Sequence, residues 1–244
     1  NNLGNTCYLN SVLQILVNTP LIYHLSKIEK SHKCKYIGPS SVCFECELLK
    51  ITKSCRLTIV SPNIIVKNLA HVNSRFKIGR QQDSHEFLLI LLNGLSDVIL
   101  NNFKGELQSR VSCTNGHNSD TIEKFIHISL DIHNSNTLTN CIKTYFMSSN
   151  IIKGYKCDKC HKLVDVRKQY SWRQMPNIIV FHLNRFDKFA NKINKKIEID
   201  EVINLNNQEY KIYGAVVHIG SRIDFGHYIS FVVNNNGIWY QVYL

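Results

Sequence analysis

The sequence predicts an α+β fold, and three observations carry the prediction. Helical periodicity dominates the first hundred residues, period-two alternation follows after Gly105, and no proline- or glycine-rich linker divides the two regions. The first helix is read from Leu9, Val12, Leu13 and Leu16, with Asn5-Thr6 as capping residues. Ser61-Pro62 reads as an N-cap followed by proline at the first helical position, and Ile65, Leu69 and Val72 supply that helix's apolar face. A third helix opens near Gln82-Asp83-Ser84 and carries Phe87, Leu88, Leu91, Leu92 and Leu95. An acid in its first turn suits the helix dipole.

Phe125, Ile126, Ile128, Leu130 and Ile132 read as one strand, and Ile178-Ile179-Val180-Phe181 after Pro176 as another. Ala215 to Ile219 and Tyr228 to Val233 are further strands, and Asn236-Gly237 is a hairpin signal between Val233 and Trp239. Lys188, Lys192, Lys195 and Lys196 are expected at a solvated hairpin end.

Composition narrows the class. A chain of 244 residues, 44% hydrophobic and 19% charged, can bury a sizeable core without cross-links. This excludes a small disulfide scaffold, a disordered tail and a collagen-like fibre. The most apolar stretch, from Phe87 to Leu100, is broken by Asn93, Gly94, Ser96 and Asp97, so no membrane association is expected. The opening residues lack the basic-then-apolar start of a secretory signal. Nine cysteines with C-x-x-C clustering point to a reducing, intracellular setting, cytoplasm or nucleus. The net charge of +11 suits nucleic acid or an acidic partner, and equally a drift of composition towards Lys, Asn and Ile.

Cys7 is the nucleophile candidate. It falls at a helix N-terminus, where unpaired N–H groups and the positive dipole end favour a thiolate and a nearby oxyanion. Asn2 offers an amide donor just upstream; a buried structural cysteine is the competing reading. A cysteine nucleophile needs a histidine, and His227, after Gly226 at the mouth of a strand, is the best placed of eleven.

Four ordered blocks carry a resemblance. Asn2-Leu3-Gly4-Asn5-Thr6-Cys7-Tyr8-Leu9-Asn10-Ser11 resembles the cysteine box of the ubiquitin-specific proteases. Gly79-Arg80-Gln81-Gln82-Asp83-Ser84-His85-Glu86-Phe87-Leu88 resembles their second block, and Pro176 through Phe186 a third. Gly226-His227-Tyr228 with Trp239-Tyr240 resembles the histidine box. The resemblance implies a papain-like cysteine protease fold over residues 1–244, with a mostly helical thumb over 1–108, β-rich fingers over 109–175 and mainly palm strands over 176–244. It implies hydrolysis of the bond after the C-terminal glycine of ubiquitin, with Cys7 as nucleophile, His227 as general base and acid, Asn2 at the oxyanion and Asp83 holding the basic ubiquitin tail.

The match breaks where the family places an Asp or Asn to orient its histidine, because Tyr243 and Leu244 stand there. A four-residue loop over Asn234 to Gly237 would set His227 opposite Leu244; a two-residue Asn236-Gly237 turn would set it opposite a position past the chain. Asp224 and the Tyr243 hydroxyl are substitutes. Two functions follow: a thiol-dependent deubiquitinase, or a weak or inactive ubiquitin-binding pseudoprotease. A zinc-dependent nucleic-acid binder, suggested by the charge, lacks a recognisable finger spacing.

The family's fingers often hold zinc between two C-x-x-C pairs. Cys157 and Cys160 form one pair. Cys113 lacks its second cysteine, and His117 is the candidate replacement in a Cys3His structural zinc set, with His161 a weaker competitor. Cys43, Cys46, Cys34 and His32 form another cluster. Helical packing accounts for its spacing, and it stays outside the expected metal set.

Overall fold

The computed structural model describes residues 3–18, 32, 34, 42–55, 58–77, 79–147, 150–222, 225–234 and 236–242. Two compact units emerge. One comprises Asn1–Leu100, Lys188–Lys192 and Tyr213–Leu244, the other Asn101–Asp187 and Ile193–Ile212.

The first unit holds helices α1 (Cys7–Val17), α2 (Phe44–Ser54), α3 (Asn63–Val72), α4 (Ser84–Asn93) and α5 (Asp97–Leu100). It also holds an antiparallel sheet of β9 (Gly214–Ile219), β10 (His227–Val233) and β11 (Trp239–Val242), with β10 central. Helix α1 is the axis of this unit. Nine of its eleven residues are buried, including the predicted Leu9, Val12, Leu13 and Leu16. It packs on β10 and β9 on one side and on α2 and α4 on the other. Gly214 permits the approach, since a Cβ there would sit 3.2 Å from the Ile15 side chain. The Tyr8 ring meets Phe76 and Phe87, each at 5.9 Å between centroids.

The second unit is built on a four-stranded antiparallel sheet in the order β2 (Asn118–Phe125), β1 (Gly105–Cys113), β5 (Leu163–Gln174), β4 (Asn150–Lys156). A short parallel pair, β3 (Ile128–Leu130) and β6 (Phe181–Leu183), and a hairpin of β7 (Val202–Leu205) and β8 (Gln208–Lys211) accompany it. Helix α6 (Leu138–Met147) buries Leu138, Cys141 and Ile142 in a core with Ile128, Leu130, Ile132 and Ile203. Phe125, Phe146 and Trp172 flank that core, with Phe146 and Trp172 4.3 Å apart.

Local expectations change in several places. Helix α3 starts at Asn63 with Pro62 in the cap position, one residue later than expected, and Val72 at its end is 49% exposed while Ile65 and Leu69 are buried. The run from Phe125 to Ile132 splits between β2 and β3. Ile178 to Val180 lie before β6, where their backbone is bonded by single partners: Ile178 N donates to Asn102 O, and Val180 O accepts from Ile128 N. Of the four lysines, Lys188 and Lys196 are exposed, but Lys192 and Lys195 are not simply solvated: Lys195 Nζ donates to His133 O, and Lys192 is built into the site described below.

Phe87 is fully buried at the α4 face that meets Tyr8. Phe87→Ala is expected to lower stability by about 3–5 kcal/mol in chemical denaturation; a loss below about 1 kcal/mol would contradict its place in this core.

Candidate active site and metal centre

The chain enters α1 through a tight turn. Gly4 and Asn5 take positive φ values of 89° and 55° in succession. Asn5 Nδ2 donates to Gly79 O at 2.8 Å, fixing the turn to the segment before α4. Thr6 occupies the N-cap position, yet its hydroxyl accepts from Leu3 N at 2.9 Å, so no side chain caps the helix from there. The capping expected of Asn5-Thr6 is therefore redirected: both side chains hold the turn. The N–H groups of the first turn, at Cys7 and Tyr8, point out of the helix end with no intrahelical acceptor. Cys7 itself is buried, and its carbonyl accepts from Ser11 Oγ at 2.8 Å.

His227 is the first residue of β10, the strand on which α1 packs. Tyr228 follows it into the core. Burial pushes its hydroxyl up to about 12, and the charges of Asp83 and Cys7 add to that, so Tyr228 stands within electrostatic reach of both. Asp83 caps α4, accepting from Glu86 N at 2.9 Å. Cys7, Asp83 and His227 are thus carried by elements of one unit that pack on α1 or open beside Tyr228. Asn2, Asp224, Tyr243 and Leu244 lie outside the described residues.

Two residues that sequence reasoning did not single out hold the chain before His227. Gln81 grips Gly226 at two points: its Nε2 donates to Gly226 O and its Oε1 accepts from Gly226 N, both at 2.7 Å. Lys192 Nζ donates to His218 O at 2.8 Å and Gly220 O at 2.7 Å, and lies 3.2 Å from His218 Nδ1. Burial, and after it the Lys192 charge, lower the His218 pKa. Gly226 is obligatory here, since a Cβ would meet His218 Nε2 at 2.2 Å and Ile219 O at 2.5 Å. Gln81 sits in a block already noted for its resemblance. Lys192 gives no sequence signal beyond a charged patch.

The β10–β11 register differs from both expected turns. Val233 pairs with Trp239 across a connection of residues 234–238. Asn234 organises it: Oδ1 accepts from Asn236 N and Ile238 N, both at 2.9 Å, and Gly237 takes φ 78°.

The second cluster of interest closes one end of the four-stranded sheet. Cys113 ends β1, His117 lies in the β1–β2 turn, and Cys157 and Cys160 lie in the β4–β5 turn. Their ligand atoms all fall within 4.8 Å of one another. Cys113 Sγ and Cys160 Sγ are 3.9 Å apart, and Cys157 Sγ is 3.7 Å from His117 Nδ1. A tetrahedral ion with bonds of about 2.3 Å to sulfur and about 2.0 Å to nitrogen needs separations of roughly 3.8 and 3.6 Å. The residues fit zinc. Asn115 Nδ2 and the Lys162 N–H draw the Cys160 thiol down to about 6, the direction a thiolate ligand requires. His161, the competing ligand, is exposed and outside the cluster.

A mixed fold with a cysteine opening a buried helix, packed on a strand that a histidine opens, has the architecture of a papain-like cysteine protease. The chain belongs to the ubiquitin carboxyl-terminal hydrolase family, whose profile matches residues 1–243. Ubiquitin carboxyl-terminal hydrolase 25 of Arabidopsis thaliana is 34% identical over 98% of this chain and 42% of its own length. Human ubiquitin carboxyl-terminal hydrolase 42 is 28% identical over 99% of this chain and 20% of its own. The chain therefore spans less than half of these relatives. Among solved structures, the SAGA Ubp8/Sgf11/Sus1/Sgf73 DUB module bound to ubiquitin aldehyde superposes with a TM-score of 0.85 at 25% identity, covering 98% of this chain and 62% of that one. The same module bound to monoubiquitin gives 0.84 at 26% identity over 98% and 62%.

Gln81→Ala removes both bonds to Gly226. The Gly226 amide is expected to exchange with solvent about fivefold faster, as for loss of a hydrogen bond worth about 1 kcal/mol, in hydrogen-exchange mass spectrometry. Unchanged protection would mean that Gln81 does not hold this segment.

Proposed function

We propose that the chain is the catalytic part of a thiol-dependent deubiquitinase. The observation that carries this reading is the uncapped N-terminus of α1 at Cys7, packed on the strand that begins with His227. Family membership and likeness to ubiquitin-bound modules support it.

Cys7 gives its thiol proton to His227, its Sγ adds to the carbonyl carbon of ubiquitin's C-terminal glycine, and the C=O electron pair moves onto oxygen. The oxyanion is held by first-turn N–H groups of α1, joined by the Asn2 amide in the role its position implies. Collapse breaks the C–N bond, and the leaving lysine amine takes a proton from His227. Water then adds to the thioester, losing a proton to His227, and releases the glycine carboxylate and Cys7. Asp83 receives the basic tail of ubiquitin while it caps α4. Cys113, His117, Cys157 and Cys160 would hold a structural zinc that ties the two turns together and takes no part in the reaction. A reducing intracellular setting, cytoplasm or nucleus, is part of this proposal, because a thiolate nucleophile requires it. Among the described residues no helix is long and apolar enough to cross a membrane.

Tyr243, where the family carries an Asp or Asn, favours a second reading, a ubiquitin-binding pseudoprotease. Loss of the orienting residue costs about 10⁴-fold in serine enzymes, and cysteine, more nucleophilic to begin with, is less dependent on it.

Ubiquitin carrying a C-terminal electrophile separates the two. A covalent adduct on Cys7, lost in Cys7→Ser, is expected under reducing conditions. Binding of ubiquitin without any adduct would sink the enzyme reading and leave the pseudoprotease. Asp83→Asn keeps an amide oxygen for the cap but removes the charge. It is expected to weaken binding of ubiquitin about tenfold, or ~1.4 kcal/mol, with thermal stability nearly unchanged; equal affinity would remove Asp83 from the tail site.

A further inference from the structure

The turn between β9 and β10 closes on itself just before His227. Gly220, the first residue past β9, takes φ 137°, and a Cβ there would meet Gly226 Cα and Phe225 O, both at 2.9 Å. The two glycines therefore bring the ends of the turn into backbone contact. The His218 ring packs against both. Its Cε1 lies 3.4 Å from the Cβ position at Gly220, and its Nε2 lies 2.2 Å from the one at Gly226. The same ring meets that of Tyr228 at 4.9 Å between centroids. Strand pairing sets His218 opposite Tyr228 and Ile219 opposite His227. In packing this close, a shift of Gly220 is passed to Gly226, and from there to His227.

Lys192 grips this closure from outside the turn. Its ammonium has three N–H donors and no acceptor. Three acceptors stand round it: Gly220 O at 2.7 Å, His218 O at 2.8 Å and His218 Nδ1 at 3.2 Å. Because an ammonium only donates, His218 Nδ1 carries no proton, and the ring is neutral with its proton on Nε2. Burial, and after it the Lys192 charge, hold the His218 pKa low, while the Asp83 charge acts the other way. An antiparallel bridge of Asn191 with Arg222 pairs the Lys192 segment with the same turn. At the far end of the turn, Gln81 holds the amide and the carbonyl of Gly226. The cation thus fixes one glycine of the close contact and the side-chain amide fixes the other.

We propose that Lys192 is a positioning residue for His227: it fixes His218 and Gly220, and through them Gly226 and the direction in which β10 presents the His227 imidazole. The inference rests on the deubiquitinase reading above, in which His227 is general base and acid. It adds to that reading a constraint on His227 that comes from main chain, in a sequence where Tyr243 replaces the family's orienting Asp or Asn. Lys192 acts through the backbone and takes no part in proton transfer.

Hydrolysis of ubiquitin carrying a fluorogenic C-terminal amide tests it. Lys192→Met is expected to lower kcat about 10- to 100-fold, as for a catalytic group displaced by up to about 1 Å. KM is expected to stay within about twofold, since the lost contact is not one to substrate. Lys192→Arg keeps the charge and donors for both carbonyls, and is expected to recover most of the loss. A raised KM at unchanged kcat would make Lys192 a substrate contact and overturns the proposal, as do unchanged constants. A wild-type protein that does not turn over sinks the deubiquitinase reading alone, and hydrogen exchange then decides the clamp. In Lys192→Met the Gly226 and His227 amides are expected to exchange at least about tenfold faster, as for loss of hydrogen bonds from a charged donor; equal protection overturns it. Should Lys192→Met not fold, nitrogen NMR of the wild-type imidazoles decides. An unprotonated His218 Nδ1 at neutral pH is expected, and a proton there overturns the clamp.

Discussion

The structure around the candidate active site depends on the burial of α1. A helix that buries nine of eleven residues has almost no solvent face, so its position is set by packing on both sides rather than by a single apolar stripe. That rigidity is what allows the helix end to go without a side-chain cap. A helix held only by its cap would lose order at Cys7 if the cap were redirected. Here the burial of Leu9 and the Tyr8 contacts with Phe76 and Phe87 hold the first turn from within. Thr6 and Asn5 are then free to shape the entering turn instead.

The opposite wall is held by polar contacts of a different kind. Among its described residues, the segment before β10 carries no large buried side chain to anchor it. Its backbone is instead gripped by Gln81 from the approach to α4 and by Lys192 at the end of β9. Each grip satisfies backbone groups that irregular chain would otherwise leave to water. Both act on main chain and tolerate variable side chains in the loop, while Gly226 is fixed because His218 fills the space a Cβ would need. Position thus comes from packing at Cys7 and from hydrogen bonding at His227.

The legibility of the sequence followed the same division. Helices α1 and α4 were readable because their burial imposes a strong apolar period, and Asp83 was readable as a cap because capping is local. Strand β10 was readable because both its faces are largely apolar. Strands β1, β2, β4 and β5 were not, since β2 and β4 lie mostly exposed and carry polar residues that mimic loop. Cys7, His227 and the Cys113 set were singled out by motif. Gln81 and Lys192 were missed because they act on distant backbone, 145 residues away for Gln81 and 26 for Lys192. The β10–β11 register was missed because Asn234, through its side chain, closes a longer connection than the Asn236-Gly237 signal suggests.

The Cys113 cluster sits where apolar core is scarce. At the turn end of the four-stranded sheet the buried apolar set is Cys113, Cys157 and Val166, with Val111, Tyr155, Cys160 and Val164 packed around it. So small a cluster cannot hold two hairpin turns in register by burial alone. Thiolates gathered on one ion would replace the missing apolar area with a few directional bonds, and the N–H groups of Asn115 and Lys162 already point at the sulfurs to offset their charge. Metal binding and folding would then be coupled at this end of the sheet.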